Sequence, residues 1–244
     1  MNSRIAIVGG GGGVGASLAF NLLLAETPYE VALVDGRSGM ARSHEMDLQQ
    51  VVAQGASGSV EIVELGTIAD ADVVVISASV PLTVNDSRMV YLRDNAAIVA
   101  EIGDALPDGW PGVLVMVTNP VDPLCTLLWR RRGAVERFVR HWYERHVALD
   151  SGRSSTWTTG RGLARMIAAL AGDEGELWPA SVVLEGEYGV SDAALTVPVT
   201  LGRGGVRELH EWELSEEQRG AMGAAGEAVR TAAARLTADC RQSC

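Results

Sequence analysis

A run of five glycines, residues 9–13, lies between a short apolar segment and a helical one near the start of the chain. The preceding residues, 5–8, are typical of a buried strand, and the leucines that follow recur at helical spacing. Gly10, Gly12 and Gly15 fit the pattern G-x-G-x-x-G. Because glycine has no side chain, a phosphate can approach the bare backbone N–H groups at such a helix start. The chain is therefore predicted to bind a dinucleotide.

An acid follows the glycine run at the spacing that this prediction needs. Residues 31–34 form a second apolar segment, which ends on Asp35, twenty positions after Gly15. A carboxylate there can accept both ribose hydroxyls of NAD and would repel the additional phosphate of NADP. NAD is the predicted cofactor, and a glycine-rich turn without a ligand is the alternative. The predicted cofactor contacts from these two segments are Gly9, Gly10, Gly12, Gly13, Val14, Gly15 and Asp35.

Short apolar segments alternate with helical ones through the first half of the chain. Residues 60–64, 73–77 and 113–117 are rich in valine, as buried parallel strands are. Residues 39–52 and 89–105 have helical patterns. This alternation predicts an α/β fold, a Rossmann doubly wound parallel sheet, with its crevice at the carboxyl ends of the strands.

The second half has a different pattern, which predicts a smaller α+β unit. We expect an NAD-binding domain over residues 1–132 and a shortened substrate domain over residues 133–244. The predicted elements of the second half are helices over 134–149, 157–171 and 215–237, and strands over 182–184 and 195–199 around a turn at 188–189. Ser215 and Gln218 have the spacing of a helix capping box.

The composition restricts the possible partners. A net charge of −11 argues against nucleic acid and against anionic membrane as main partners. No run of 18 apolar residues predicts a membrane span, and no Cys/His cluster predicts a metal site. Three cysteines make no disulfide framework, so a cytoplasmic protein is expected.

These segments together resemble the lactate/malate dehydrogenase family. The segments that carry the resemblance are residues 8–15 with Asp35, 39–48, 70–76, 88–95, 117–122, 184–189, 198–202 and 213–215. The resemblance implies NAD-linked oxidation of a small 2-hydroxy acid to a 2-oxo acid. It also implies that Ala78, Asn95 and Val117 line the path of the cofactor.

The same resemblance implies roles for residues around the substrate. Asn119 corresponds to the residue beside the nicotinamide and the reacting oxygen, and Arg88 to a loop arginine that polarises the substrate carbonyl. Malate-type members carry an arginine six positions before Arg88, where this chain has Leu82. Leucine cannot pair with a second carboxylate, so a monocarboxylate with an apolar side chain is the expected substrate.

The resemblance fails in the middle of the chain, which is shorter than family members. None of the four histidines, His44, His141, His146 and His210, lies in a segment like the one that carries the family's proton-transfer histidine. Residues 149–153 resemble the family's aspartate–arginine segment, so Asp150 and Arg153 are catalytic candidates. The helical pattern before them instead favours a deletion near Gly133 that leaves both at a helix end. Under that interpretation, Ser155 and Thr159 face the nicotinamide and substrate pocket.

Two functional hypotheses follow from the missing histidine. The first is an NAD-dependent oxidoreductase with an intact cofactor domain and a shortened substrate domain. The second is a non-catalytic NAD-binding pseudoenzyme, or a partner subunit of a full-length relative. Because the missing segment would leave apolar surface uncovered, we also expect a homo-oligomer.

Overall fold

The computed structural model describes residues 3–81, 88–132, 136–137, 156–172 and 175–242. Its larger sheet has six parallel strands in the order β3-β2-β1-β4-β5-β6. The strands are β1 (Ser3–Val8), β2 (Tyr29–Val34), β3 (Ser59–Ile62), β4 (Val73–Ile76), β5 (Val113–Met116) and β6 (Glu136–Arg137). The order reverses between β1 and β4, and this confirms the predicted Rossmann fold.

Helices connect the strands and cover both faces of this sheet. They are α1 (Gly13–Leu23), α2 (Ser38–Ala53), α3 (Leu92–Asp104) and α4 (Val121–Arg132). Two short 3₁₀ helices, Leu65–Asp70 and Arg88–Tyr91, precede β4 and α3. The second of these accounts for the first residues of the helix predicted over 89–105.

The second half forms a three-stranded antiparallel sheet with a helix before it and another after it. Its strands are β7 (Leu177–Glu185), β8 (Ser191–Gly202) and β9 (Gly205–Leu209), and its helices are α5 (Trp157–Gly172) and α6 (Glu216–Gln242). The capping box is confirmed: the Ser215 amide donates to Gln218 Oε1 and the Gln218 amide to Ser215 Oγ. In the described part of the chain, no helix is both long and apolar enough to cross a bilayer.

The two sheets share one apolar core. Leu18 and Leu22 of α1 belong to the same buried cluster as Leu163 and Ile167 of α5 and Val197 of β8. Helix α5 therefore joins the antiparallel sheet to the face of the parallel sheet that α1 covers. Each apolar side chain buried in this way stabilises the fold by about 1.5–3 kcal/mol.

A polar contact crosses between the two halves on the other side of the parallel sheet. Buried Ser181 of β7 donates a hydrogen bond to the Asp122 carboxylate in the first turn of α4. One turn further along α4, Thr126 Oγ1 accepts a hydrogen bond from the Ala194 amide of β8 at 3.1 Å. These bonds satisfy polar groups that would otherwise be costly to bury, and they fix α4 against the second sheet.

The helix predicted over 134–149 is wrong where the structure describes it. Glu136 and Arg137 form β6, which pairs in parallel with Val115 and Met116 of β5. The remaining residues of that segment lie outside the described residues. Helical periodicity misled here, because the unpaired edge of β5 offers hydrogen bonds that a local pattern does not reveal.

The strands predicted in the second half are only the apolar centres of longer ones. Strand β7 extends well beyond 182–184 and β8 beyond 195–199. Strand β9 was not predicted at all. Its exposed residues include Arg207 and Glu208, so it lacks the apolar alternation that marks a half-buried strand.

Candidate functional site

The glycine loop is a compact turn fixed to the end of β2. The amides of Gly9 and Gly10 both donate to the Val34 carbonyl oxygen, at 2.8 and 3.0 Å. The Gly12 amide then donates to the Gly9 carbonyl oxygen at 2.9 Å. These three bonds fix the chain as it turns from β1 into α1.

Two positions of this loop require glycine for steric reasons. Gly9 has a φ of +98°, and a Cβ on it would lie 2.5 Å from the backbone nitrogen of Ala78. A Cβ on Gly15 would lie 2.4 Å from the Gly9 carbonyl oxygen and 2.9 Å from Gly10 Cα. The loop is therefore wedged between the first turn of α1 and the backbone that follows β4.

The first turn of α1 provides the donors for a phosphate. Its first intrahelical bond runs from the Ala16 amide to the Gly12 carbonyl, at 2.9 Å. The amides of Gly13, Val14 and Gly15 therefore precede the hydrogen-bond ladder of the helix and point out of its amino end. Since the helix dipole is positive at that end, this cradle fits the pyrophosphate of a dinucleotide.

Asp35 lies directly beside the loop, at the end of β2. Its side chain is only 7% exposed. Its Oδ2 accepts a hydrogen bond from the Gly11 amide at 2.9 Å, and its Oδ1 accepts one from the Arg37 amide at 2.9 Å. The structure thus brings together the acid and the glycine loop, which the sequence only places in order.

The ends of β4 and β5 form the opposite wall of the crevice. Thr118 Oγ1 lies 2.7 Å from the Ala78 carbonyl oxygen and 3.1 Å from that of Ile76, so its hydroxyl connects the two strand ends. The Val117 amide donates to Ile76 as well, at 2.9 Å. Ala78 and Val117 therefore lie just after the ends of β4 and β5, with Ala78 against the glycine loop, and Thr118 is a supporting residue that the sequence did not reveal.

Asn95 differs from the simple lining residue that was expected. Its side chain is buried, with the residue 2% exposed. Its Oδ1 accepts from the Val80 amide at 2.9 Å, and its Nδ2 donates to the Asn119 carbonyl at 2.7 Å. Asn95 therefore fixes the loops after β4 and β5 to each other, and it holds the backbone of half-buried Asn119 in place.

One residue of the second half reaches the glycine loop. A Cβ on Gly13 would lie 3.2 and 3.3 Å from Cγ2 and Oγ1 of Thr156. Thr156 immediately precedes α5, and Thr159 is half-buried in the first turn of that helix. Thr159 and Ser155 are predicted from the sequence but Thr156 is not, because only the packing of α5 on α1 brings Thr156 to the loop.

The remaining predicted residues are less fully described. Arg88 begins the 3₁₀ helix before α3, and its side chain lies outside the described part. The other predicted site residues outside the described ranges are Leu82, Asp150, Arg153 and Ser155. Within those ranges no group of His, Cys, Asp and Glu side chains could hold a metal ion.

The two described histidines lie beside the antiparallel sheet and on α2. His210 Nε2 lies 2.6 Å from Thr200 Oγ1 of β8, within the antiparallel sheet. His44 is half-buried on α2. Neither belongs to the wall formed by the ends of β1, β4 and β5.

Comparison with protein families matches both halves of the chain. Residues 3–139 match the model described as "lactate/malate dehydrogenase, NAD binding domain". The chain belongs to the lactate/malate dehydrogenase family. Residues 145–238 match the model of the family's alpha/beta C-terminal domain. The cofactor of this oxidoreductase family member is NAD, and the cradle described above fits it.

Curated relatives show that the shortening is internal. The malate dehydrogenase of Halobacterium salinarum is 29% identical over 293 aligned positions, which cover 92% of this chain and 96% of that protein. L-lactate dehydrogenase 1 of Bifidobacterium longum is 26% identical over 309 positions, covering 94% and 97%. The alignment with the Halobacterium salinarum protein spans 293 positions, whereas this chain has 244 residues. At least 49 positions of that alignment therefore have no counterpart in this chain.

Solved structures share the fold over almost the whole chain. Malate dehydrogenase from Cryptosporidium parvum superposes with a TM-score of 0.85 at 18% identity, covering 98% of this chain and 100% of that one. The malate dehydrogenase of Archaeoglobus fulgidus, solved in complex with NADH, gives 0.80 at 21% identity, covering 96% and 99%. These neighbours confirm the fold class.

Proposed function

We propose that this chain is an NAD-dependent oxidoreductase that interconverts a 2-hydroxy and a 2-oxo monocarboxylic acid. The observation that carries the proposal is the assembled cradle of glycine loop, α1 amino end and Asp35, in a chain that matches both family domains. The division into an NAD-binding domain, residues 1–132, and a shortened substrate domain, residues 133–244, is part of the proposal.

The residues of the cradle have separate tasks in binding. The amides of Gly13, Val14 and Gly15 bind the pyrophosphate, and Asp35 accepts the ribose hydroxyls. Ala78 and Val117 line the path toward the nicotinamide, and Asn95 acts by positioning the Asn119 backbone. Gly9, Gly10 and Gly12 shape the turn and bring the cofactor close to the backbone.

The chemistry requires charge stabilisation at the reacting oxygen. When bound, NAD⁺ would accept a hydride from the 2-hydroxy acid, and NADH would supply one to the 2-oxo acid. Asn119 orients the reacting oxygen, and Arg88 stabilises negative charge that develops on it. A preorganised donor of this kind contributes about 3–4 kcal/mol to transition-state stabilisation. Ser155 and Thr159 complete the pocket from the side of α5.

Strand β6 bears on the roles of Asp150 and Arg153. The helix-end assignment depended on a helix over residues 134–149, and Glu136 and Arg137, near the start of that segment, are instead a strand of the parallel sheet. The family has a strand before its aspartate–arginine segment, and the C-terminal domain match begins at residue 145. We therefore propose that Arg153 binds the substrate carboxylate and that Asp150 remains in the pocket. The positions that are missing relative to the family would then fall either between Arg153 and α5 or further along the second domain.

Substrate choice provides a direct test at Leu82. With pyruvate and oxaloacetate as the two 2-oxo acids, we expect a higher kcat/KM for pyruvate. Leu82→Arg should raise the ratio of kcat/KM for oxaloacetate to kcat/KM for pyruvate by about tenfold or more, because arginine can pair with the second carboxylate of oxaloacetate. Gln49→Arg, which adds the same charge at an exposed position of α2, is the control. An unchanged ratio in Leu82→Arg would remove Leu82 from the pocket.

The missing segment favours a second candidate function, NAD binding without turnover. At least 49 aligned positions of the Halobacterium salinarum relative have no counterpart here, and no histidine of this chain lies in a segment like the family's acid/base segment. A pseudoenzyme or partner subunit would keep the cradle and lose the chemistry. Saturable NADH binding without NADH oxidation by any 2-oxo acid would select this candidate.

We also propose that the chain forms a homo-oligomer. Trp157 at the start of α5 is 68% exposed, and Leu24 at the end of α1 is 56% exposed. Phe20 and Leu24 line a groove together with Val51 of α2. Exposed apolar surface of this kind is typical of interaction sites. Light scattering during gel filtration should give at least a dimer, and a compact monomer at high concentration would contradict this.

A further inference from the structure

An arginine occupies the ribose end of the cofactor site. Arg37 follows Asp35 by two residues, and its Nε lies 3.2 Å from Asp35 Oδ1 while its Nη2 lies 3.5 Å from Oδ2. The Arg37 side chain is 64% exposed, whereas that of Asp35 is 7% exposed. The guanidinium thus lies across the solvent side of the acid, where the adenosine ribose enters.

The same guanidinium faces the glycine loop. Nη2 of Arg37 lies 3.7 Å from the position that a Cβ on Gly12 would occupy. Gly12 directly precedes α1, whose amino end carries the phosphate donors. A positive charge therefore lies between the ribose acid and the pyrophosphate cradle.

This pairing alters the electrostatics that were expected from Asp35 alone. Both carboxylate oxygens already accept hydrogen bonds from this chain, Oδ2 from Gly11 and Oδ1 from Arg37. An isolated carboxylate at this position repels a phosphate on the ribose 2′-oxygen. Here the adjacent guanidinium offsets that charge, and its exposure leaves it free to turn toward an incoming anion. Repulsion of the 2′-phosphate should therefore be weak.

We propose that Arg37 lets the site accept 2′-phosphorylated dinucleotides, NADP and NADPH, in addition to NAD and NADH. The planar guanidinium can form two parallel hydrogen bonds to the 2′-phosphate. With NAD, Asp35 accepts the ribose hydroxyls and Arg37 remains its ion-pair partner. The inference rests on the proposed role of Asp35 at the ribose, and it makes Arg37 a specificity-determining residue.

Equilibrium titration of the full chain with NADH and with NADPH tests the proposal. Nicotinamide fluorescence reports both ligands, which differ only in the 2′-phosphate. The wild-type Kd for NADPH should be within about tenfold of that for NADH, because an offset charge costs little affinity. Arg37→Ala should raise the Kd for NADPH about 10- to 100-fold, since a bidentate charged contact is lost. The Kd for NADH should change by less than about threefold.

Two controls separate this contact from a general charge effect. Arg165 lies on α5 and forms an exposed ion pair with Glu176, so Arg165→Ala removes the same charge and should leave the ratio of the two Kd values unchanged. Increasing salt should weaken NADPH binding more than NADH binding in the wild type, and this difference should disappear in Arg37→Ala.

The outcomes separate this proposal from the cofactor site itself. NADH binding without NADPH binding in the wild type would overturn the role of Arg37 and leave the NAD site intact. An equal loss of affinity for NADH and for NADPH in Arg37→Ala would also overturn the role of Arg37, because Arg37 would then act only through Asp35. Failure of the wild type to bind either ligand would overturn the cofactor site and this proposal together.

Discussion

Replacing Gly15 by alanine is expected to weaken NADH binding by this protein about 100-fold. The new Cβ would lie 2.4 Å from the Gly9 carbonyl oxygen and 2.9 Å from Gly10 Cα, and backbone atoms cannot turn aside as a flexible side chain does. The loop and the first turn of α1 must therefore separate, and the amides of Gly13 and Val14 lose their common direction. Loss of about 3 kcal/mol of charge-assisted hydrogen bonding raises Kd about 100-fold. Calorimetric titration with NADH measures this loss.

A matched glycine provides the control for this variant. Gly39 lies in α2, where a Cβ would meet nothing within 4 Å. Gly39→Ala should leave NADH affinity unchanged and raise the free energy of unfolding by about 1 kcal/mol, the helix propensity difference. Circular dichroism during thermal unfolding, recorded on the Gly15→Ala protein that is used for the titration, should show that this variant is folded. If folded Gly15→Ala bound NADH as the wild type does, the loop could not be the phosphate site.

Turnover is expected to be slower than in a full-length relative by about 10²- to 10⁴-fold, the usual contribution of a positioned proton-transfer group. The reason is the absence of a histidine in a segment like the family's acid/base segment. NADH oxidation with saturating pyruvate, measured beside the malate dehydrogenase of Halobacterium salinarum with oxaloacetate, gives the comparison. Imidazole in the buffer should raise the rate of this chain, because a diffusing acid can replace the missing proton donor.

A salt without an exchangeable proton provides the control for the imidazole effect. N-methylpyridinium chloride at the same ionic strength should leave the rate unchanged. If the rate equalled that of the relative and did not respond to imidazole, a group of this chain would have to transfer the proton. His141 and His146 would then be the residues to replace first.

The part of the site that is formed by a short segment could be predicted from the local sequence pattern. The glycine loop consists of residues 9–15. The position of Asp35 relative to this loop is determined by α1 and β2, which lie between them in the chain. These elements are close in sequence, so the pattern of apolar and glycine residues determines them nearly alone. The doubly wound parallel sheet could also be predicted, because right-handed crossovers leave few alternatives for alternating strands and helices.

Most of the contacts that the sequence did not reveal join residues that are far apart in the chain. Strand β6 exists because the edge of β5 is open, and Thr156 reaches Gly13 because α5 packs on α1. The arginine across Asp35 is two residues away in sequence, yet its direction depends on the turn into α2. Hydrophobic periodicity carries no information on any of these contacts, and strand pairing at an edge overrides helical spacing.

A single-turnover experiment tests most directly whether this shortened chain is an oxidoreductase. Protein in excess over NADH is mixed with pyruvate, and the nicotinamide absorbance is followed with time. We predict that the absorbance of the bound NADH falls slowly to zero as the NADH is oxidised. In Gly15→Ala, this fall in absorbance should not occur. Bound NADH that persists unchanged with pyruvate and with larger 2-oxo monocarboxylates would contradict the proposed activity.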